Sequence, residues 1–465
     1  MKTFVNRSAA VFLVALLFAP LAEADLYAAN AAYGSGDFPR AFELFRELAE
    51  LGQPLAQETI AVMYVQGQGV PRNNVLGYAW AQIATENGMG ANVRPIIEQL
   101  EPRLTPAARK TVDEVRGKFG KAALEQTLLP RINSAYTPPQ DPERPVCKMS
   151  RPANPDDFYP KEAIEKAIPG SVVVKTVVLP DGRARNPRVL LSVPPNAFDW
   201  AGRMVALRTV FDPSKVDGVA VPCSITFTVR FTIKPRGNLD ALTREVDRLK
   251  RDSATGDPMA QLQYGVLLTG FSELNKEHEN FAPMFLSSAQ AGVHSAQYII
   301  GMYTLAGTGV VGDRKKGIVW LTLAAEAGQQ DAQIALANEL LRDSPDAEQV
   351  SRARTMLERA VAGGSQEARY YLADVLMGDV DPARRDPKRA LEMLGEVFGL
   401  KDEDPATFEI RAAALSQLGD CEAAARAEKS AITRARRLGW DEAPLAERLA
   451  MYQKKQAWSQ RLLVY

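Results

Sequence analysis

The sequence predicts an α+β multidomain protein, in which an α-solenoid of helix-pair repeats flanks a small domain of helices and strands. The repeats are predicted by glycines that recur at intervals of 36 residues, at Gly256, Gly292, Gly328 and Gly364. The small domain is predicted by a middle segment in which apolar and polar residues alternate, ending in a long run from Val221 to Ile233. A content of 46% hydrophobic and 24% charged residues is typical of a globular chain.

Each repeat is predicted to consist of two helices. An alanine follows each glycine by four residues, and the phrase recurs near the N-terminus, where Gly88 lies 36 residues after Gly52. Alanine allows helices to approach closely, and glycine adopts the left-handed conformation at a helix end. Because one helix pair cannot bury its apolar face alone, the pairs are expected to stack.

The repeats resemble the Sel-one-like repeat, a relative of the tetratricopeptide repeat. The residues that carry the resemblance are Ala296, Tyr303, Gly307, Gly309, Asp313, Lys315, Trp320 and Ala324, and in the N-terminal part Ala56, Tyr64, Gly67, Gly69, Val70 and Trp80. The units beginning at Ala332 and Ala368 lack the glycine-rich turn, and Leu418-Gly419-Asp420 is closer to a tetratricopeptide unit. The repeats are assigned to residues 25–132 and 239–465. The resemblance implies a protein-binding scaffold; a purely architectural array is the alternative.

A proline-rich linker at residues 133–156 precedes the small domain. Ser171–Val178 and Arg185–Ser192, joined by Pro180-Asp181-Gly182, are predicted to form a hairpin, and Phe198–Leu207 has helical spacing. The predicted order is helix, strand, strand, helix, strand.

Residues 157–234 resemble the C-terminal domain of TonB. The residues that carry this resemblance are Tyr159, Pro160, Ala163, Gly170, Val172, Val174, Val177, Asp181, Gly182, Val189, Ser192, Phe198, Ala201, Ala206, Phe211, Pro213, Gly218, Val221, Pro222 and Phe231. Members of that family pair a partner segment with the final strand. The resemblance therefore implies a partner-binding strand that contains Ser224, Thr226, Thr228, Arg230 and Thr232, with an edge-to-edge homodimer or coverage by a repeat helix as the alternatives.

Residues 1–24 are predicted to be a signal peptide. Lys2 and Arg7 precede an apolar stretch from Ala9 to Leu21, and small residues at Ala22 and Ala24 fit a cleavage site. The mature chain is expected to begin at Asp25 and to be periplasmic. The alternative is an uncleaved membrane anchor.

Export permits disulfides, and a bridge between Cys147 and Cys223 is predicted because both residues flank the small domain. Two buried free thiols are the alternative. Cys421 is expected to remain free in a helical core.

The residues provide no support for an enzyme or a cofactor. Acidic and basic residues balance at 56 each, which favours no nucleic-acid partner. His278 and His294 are isolated, so no metal site or small-molecule substrate is expected. Gly307–Gly312 fits the dinucleotide pattern G-x-G-x-x-G, but a helix rather than a strand is predicted before it. The favoured function is a periplasmic cell-envelope adaptor that binds proteins through its repeats and small domain. The alternative is a TonB-type energy transducer for outer-membrane receptor transport, which requires a retained leader.

Overall fold

The computed structural model describes residues 25–133, 147–166, 168–194, 197–232, 239–271, 274–275, 279–342, 344–395 and 404–463. The predicted signal peptide, most of the proline-rich linker, Ile233 and His278 lie outside these residues. No helix in the described ranges is long and apolar enough to cross a membrane. The fold class is α+β, with helix-pair repeats of the solenoid type and one small domain built around a sheet.

The chain divides into two compact units, which do not follow the order of the sequence. The glycine-turn unit contains residues 18–138 and 240–323, and the β-domain unit contains residues 139–239 and 324–465. Each repeat array therefore contributes to the glycine-turn unit, and the small domain shares its unit with the last repeats.

The glycine-turn unit is helical. Its elements are α1 (Asp25–Gly34), α2 (Phe38–Glu50), α3 (Pro54–Gln66), α4 (Asn74–Glu86), α5 (Arg94–Leu100), α6 (Pro106–Phe119), α7 (Lys121–Thr127), α10 (Leu239–Ala254), α11 (Pro258–Gly270), α12 (Ala282–Gln290), α13 (His294–Ala306) and most of α14 (Arg314–Glu326). Its two arrays are in contact, since Gln290 donates from Nε2 to the carbonyl oxygen of Gly52 at 3.1 Å.

The glutamine that follows the repeated alanine forms the same hydrogen bond in three repeats. Gln57, Gln297 and Gln333 each donate from Nε2 to a backbone carbonyl oxygen eight residues earlier, at distances of 3.1, 3.2 and 3.0 Å. All three side chains are buried, so each amide needs a partner inside the protein. The repeated Ala-Gln pair in the sequence thus marks a junction between successive helices.

The glycine-rich turns end α3 and α13 and allow close packing. Gly67 and Gly307 cap these helices in the left-handed conformation, with φ of 72° and 69°. A Cβ atom on Gly69 would lie 2.0 Å from the Phe38 carbonyl oxygen, and one on Gly309 would lie 2.2 Å from Asn280 Oδ1. A helix therefore precedes the G-x-G-x-x-G sequence, as predicted, and both second glycines have a packing role.

The glycine turn at Gly309 also pairs with the end of the N-terminal array. Ile132 and Val310 form an antiparallel bridge. The Asn133 amide donates to the Gly309 carbonyl oxygen at 3.0 Å, and the Val311 amide donates to that of Arg131 at 2.8 Å. Backbone pairing thus joins the two arrays within the glycine-turn unit.

The β-domain unit begins with the small domain. Its elements are β1 (Lys148–Arg151), a 3-10 turn (Pro155–Phe158), α8 (Lys161–Glu165), β2 (Gly170–Val178), β3 (Ala184–Val193), α9 (Asp199–Arg208), β4 (Val210–Asp212), β5 (Ser214–Val216), β6 (Val219–Val221) and β7 (Cys223–Phe231). The main sheet is antiparallel with the order β3-β2-β7, and α9 packs on β2 and β3. Phe198 and Phe231 stack in the core with ring centroids 4.9 Å apart.

The predicted helix-strand-strand-helix-strand order is present, with two differences. The pairs β1–β4 and β5–β6 are additional small sheets. The predicted last strand is also shorter, because β6 ends at Val221 and β7 begins at Cys223. Pro222 lies between them, and proline has no amide hydrogen to donate to a ladder.

The remaining elements of this unit are the last repeat helices. They are α15 (Gln330–Leu340), α16 (Ala347–Ala362), α17 (Gln366–Gly378), a 3-10 turn (Pro382–Arg384), α18 (Pro387–Gly395), α19 (Pro405–Gln417), α20 (Cys421–Leu438) and α21 (Ala443–Gln453). Where the glycine turn is missing, Asp346 and Gln349 form a capping box that begins α16.

A candidate partner-binding strand and its support

The predicted partner-binding residues lie on β7, which is an edge strand of the three-stranded sheet. β7 pairs with β2 over nine residues, from Gly170 opposite Phe231 to Val178 opposite Cys223. On its other side the sheet order has no further strand among the described residues. The sheet thus presents β7 at the edge opposite β3.

The direction of the backbone groups on β7 follows from one contact. The Ser224 carbonyl oxygen accepts from the Cys147 amide at 3.4 Å, so it points away from β2. In an antiparallel strand the N–H and C=O of one residue point to the same side, and this side alternates along the chain. The backbone groups of Thr226 and Thr228 therefore point away from β2, as those of Ser224 do.

The side chains of the predicted residues differ in exposure. Thr228, Arg230 and Thr232 are exposed, Thr226 is half-buried, and Ser224 is buried with 5% of its surface accessible. The alternation of β7 is thus clear toward its end, where Val229 and Phe231 are buried on the opposite face. Ser224 differs because it lies beside the segment that begins at Cys147.

The predicted disulfide between Cys147 and Cys223 is present, with the two Cα atoms 5.5 Å apart. Both cysteines are buried and pack with Val178, Ala184 and Phe211. The bridge therefore fixes the start of β7. Cys421 is a free cysteine, but it is the first residue of α20 and only half-buried, so its predicted place in a helical core is wrong.

The face of the small domain formed by α9 packs on the last repeats. Met204 and Leu207 share an apolar cluster with Phe408, Ala431, Ala435, Leu438, Trp440 and Leu445. Arg203 forms an ion pair with Asp404 at 3.7 Å, with both side chains largely buried. This helix is thus an internal docking surface of the unit.

Carboxyl groups near Arg203 have raised pKa values. Burial raises the pKa of Glu367 to about 7, and Arg203 opposes that rise. Burial likewise raises the pKa of Asp199 to about 6. Both raised pKa values have the same cause, because removal from water disfavours the charged form of a carboxyl group.

The β2–β3 turn forms a second contact with the repeats. The Arg183 Nε donates to the Gly439 carbonyl oxygen at 3.1 Å, and Asp181 Oδ2 accepts from the Asp441 amide at 3.1 Å. The Arg185 guanidinium lies 3.4 Å from the centre of the Trp440 ring. These are cation–π and hydrogen-bond contacts that hold the β3 side of the domain.

Next to this turn is a cavity of about 300 Å³. It is lined by Arg185 and Glu409, among other residues, and by Leu462 and Leu463 from the end of the chain. Sequence reasoning missed this contact because its partners are about 260 residues apart and belong to no recognisable motif.

The fold is that of a repeat protein that carries an inserted domain built around a sheet, and comparisons with known families agree. Residues 155–233 match the family described as the Gram-negative bacterial TonB protein C-terminal domain. Four segments match the Sel1 repeat, at residues 28–53, 54–89, 294–329 and 366–395. Sel1 repeats are protein–protein interaction scaffolds, and the TonB C-terminal domain is a domain of the Gram-negative envelope. The chain is therefore an envelope-related interaction protein, and no catalytic family is among these matches.

Solved structures of repeat proteins show a distant likeness. A Sel1 repeat protein from Oxalobacter formigenes is 14% identical, with a TM-score of 0.30, over 80% of this chain and 98% of the other. The protective antigen c5321 of uropathogenic Escherichia coli, which has an SLR fold, is 15% identical, with a TM-score of 0.35, over 97% and 85%. No curated protein sequence matches the chain.

Proposed function

We propose that this protein is a periplasmic adaptor of the cell envelope, and that β7 binds a partner by adding a strand to the sheet. The observation that carries the proposal is the row of backbone groups at Thr226 and Thr228, which point away from β2 on a nine-residue edge strand. Unpaired N–H and C=O groups on such an edge are a template for another chain.

The way the small domain is held supports this role. Its α9 face and its β2–β3 turn contact the repeats, whereas β7 is on the opposite side of the sheet from β3. Among the described elements, β7 has its main contacts with β2 and with the 3-10 turn at Pro155–Phe158. The described repeats thus contact the domain at α9 and at the β2–β3 turn, and no described strand pairs with the outer edge of β7.

The disulfide supports it further. Strand addition is favoured by an edge that is already ordered, because less conformational entropy is lost on binding. The bond between Cys147 and Cys223 fixes the first residue of β7. The repeats would supply further protein-binding surface in the same adaptor.

The experiment uses site-specific photo-crosslinking from Thr228 in the full chain, expressed in Gram-negative cells. We expect a crosslinked protein partner that mass spectrometry identifies. Thr226→Pro removes an amide donor that points away from β2, and we expect it to reduce the crosslink about tenfold while the fold survives. Thr226→Ala keeps that donor and should leave the crosslink unchanged.

Two further measurements can contradict the proposal. Ile225→Pro removes a donor that points toward β2, so it should unfold the small domain; if Thr226→Pro does the same, the assigned direction is wrong. Slow hydrogen exchange at every amide from Ser224 to Thr232 in the proven monomer would mean that the edge is already covered. Mass spectrometry of the mature N-terminus tests periplasmic release, which requires a start at Asp25.

A further inference from the structure

A second peptide contact lies within the last repeats and is independent of β7. After α21 ends at Gln453, the chain crosses the ends of α15, α17 and α19 as residues 456–463, which we call the tail segment. The described residues of this segment contain no regular secondary structure. The repeats therefore bind an irregular peptide segment that belongs to the same chain.

The contacts are directed mainly at the backbone of the tail segment. The Trp458 amide donates to Ser416 Oγ at 3.1 Å, and its carbonyl oxygen accepts from Gln417 Nε2 at 2.9 Å. The Leu462 amide donates to Asp374 Oδ1 at 2.7 Å, and the Leu463 amide lies 3.4 Å from the same oxygen. Asp374 is completely buried, so these bonds are to a carboxyl oxygen with little access to water.

Close approach and side-chain packing complete the site. A Cβ atom on Gly378, the last residue of α17, would lie 2.4 Å from the Arg461 amide nitrogen. The Trp458 ring packs with Ala412, Ala424 and Tyr452. Leu463 is buried, and with Leu462 it lines the cavity beside the β2–β3 turn.

We propose that the ends of α17 and α19 form a peptide-binding site that the tail segment occupies as an internal competitor. The partner that fits is a protein segment without regular secondary structure, with an aromatic residue followed four and five residues later by two leucines. Binding of such a segment requires that the tail segment leaves. Because a tethered competitor has a high effective concentration, the site is closed to weak partners.

The test compares the full chain with a chain that ends at residue 455. The probe is a fluorescein-labelled, acetylated and amidated peptide of residues 456–463, measured by fluorescence anisotropy. We expect saturable binding to the shortened chain and binding at least about tenfold weaker to the full chain. A peptide N-methylated at Leu462 lacks the donor to Asp374 and should lose binding. Equal binding to both chains, or a folded shortened chain that does not bind, would overturn the proposal.

A full-length variant covers the case in which the shortened chain does not fold. Gly378 does not have a positive φ, so Gly378→Ala suits the helix but collides with the Arg461 backbone. We expect it to speed hydrogen exchange at Leu462 and to bind no peptide, because the peptide presents the same backbone at Arg461. Trp458→Ala instead weakens the tail segment and leaves the receiving surface intact, so this full-length variant should admit the peptide. Gly395→Ala, also at a helix end but with open space around it, is the matched control for Gly378→Ala and should leave hydrogen exchange at Leu462 unchanged. The proposal fails if Trp458→Ala admits no peptide, if Gly378→Ala leaves hydrogen exchange at Leu462 unchanged, or if the full chain is a dimer whose tail segments are exchanged between copies.

Discussion

The repeats that contain a glycine turn and the last repeats of the chain are stabilised by different contacts. In α3–α4 and α13–α14, glycine turns bring Gly69 and Gly309 against neighbouring segments of the glycine-turn unit. In α19–α21, the corresponding interior contains Glu409, Glu428 and Arg448, all buried. Arg448 donates to both carboxylates, from Nε to Glu428 at 3.1 Å and from Nη2 to Glu409. The comparison indicates that α19–α21, which have no glycine turn, are fixed by hydrogen bonds between buried ionisable side chains.

The largest effect is expected from Arg448→Met. This change removes the guanidinium that donates to Glu409 and Glu428 and leaves both buried carboxyl groups without this hydrogen-bond partner. We expect a loss of about 3–5 kcal/mol in the free energy of unfolding, measured by chemical denaturation. A loss below about 1 kcal/mol would show that the buried charges are incidental and that the comparison does not hold.

Gly69→Ala tests the other side of the comparison. Its Cβ would overlap the Phe38 carbonyl oxygen, and its φ is +70°. We expect a loss of about 3 kcal/mol, since neither the backbone nor the helix end can move freely. Gly88→Ala is the control, because Gly88 has a φ of +92° but no atom within 4 Å of the added Cβ. Gly88→Ala should lower the free energy of unfolding by about 1 kcal/mol, the cost of the left-handed conformation alone. Equal losses for Gly69→Ala and Gly88→Ala would exclude a packing role for Gly69.

The pH dependence of stability should sharpen the comparison further. Burial raises the pKa of Glu428 from 4.5 to about 8, although Arg448 opposes the rise. The folded chain then keeps a proton that the unfolded chain loses, so the free energy of unfolding falls as pH rises from about 4.5 to about 8.

Glu428→Gln should remove this fall between pH 5 and 8 in denaturation curves recorded at several pH values. The amide keeps an acceptor for Arg448. An unchanged pH profile would mean that Glu428 is charged throughout.

The smallest effect is expected at the repeated glutamine. Gln297→Met keeps the length of the side chain but removes the hydrogen bond to the Ala289 carbonyl oxygen. A loss of about 1 kcal/mol is expected by chemical denaturation. Gln53 caps α3 from a half-buried position, so Gln53→Met provides a comparison with a capping bond. A neutral result at Gln297 would show that the Ala-Gln pair acts through alanine alone.

The sequence predicts the elements that depend on local pattern. Period-two alternation predicts β7, and the 36-residue spacing of glycines predicts the helix ends near Gly328 and Gly364, where φ is positive, because each residue acts on its local backbone. The sequence also predicts the position of the candidate strand and its disulfide. The break at Pro222 is a local effect that the prediction overlooked.

Long-range contacts could not be predicted. Nothing near Arg185 indicates that its guanidinium lies on Trp440, and nothing near Asp374 indicates that it accepts from Leu462. Such contacts depend on where the fold places two distant segments, and a single buried aspartate has the same sequence pattern as an exposed one. The grouping of both repeat arrays into one unit was missed for the same reason.

The antiparallel pairing of β7 with β2 has a mechanical consequence. If a partner strand bound to β7 is pulled along its own axis, the tension passes from β7 to β2. It is carried there as shear across the nine residue pairs of these two strands, which must break together. The disulfide from Cys223 to Cys147 anchors the first residue of β7. Tension on β7 therefore passes into Cys147, directly before β1, as well as into β2. Such an attachment would withstand pulling along the strand far better than peeling from its free end.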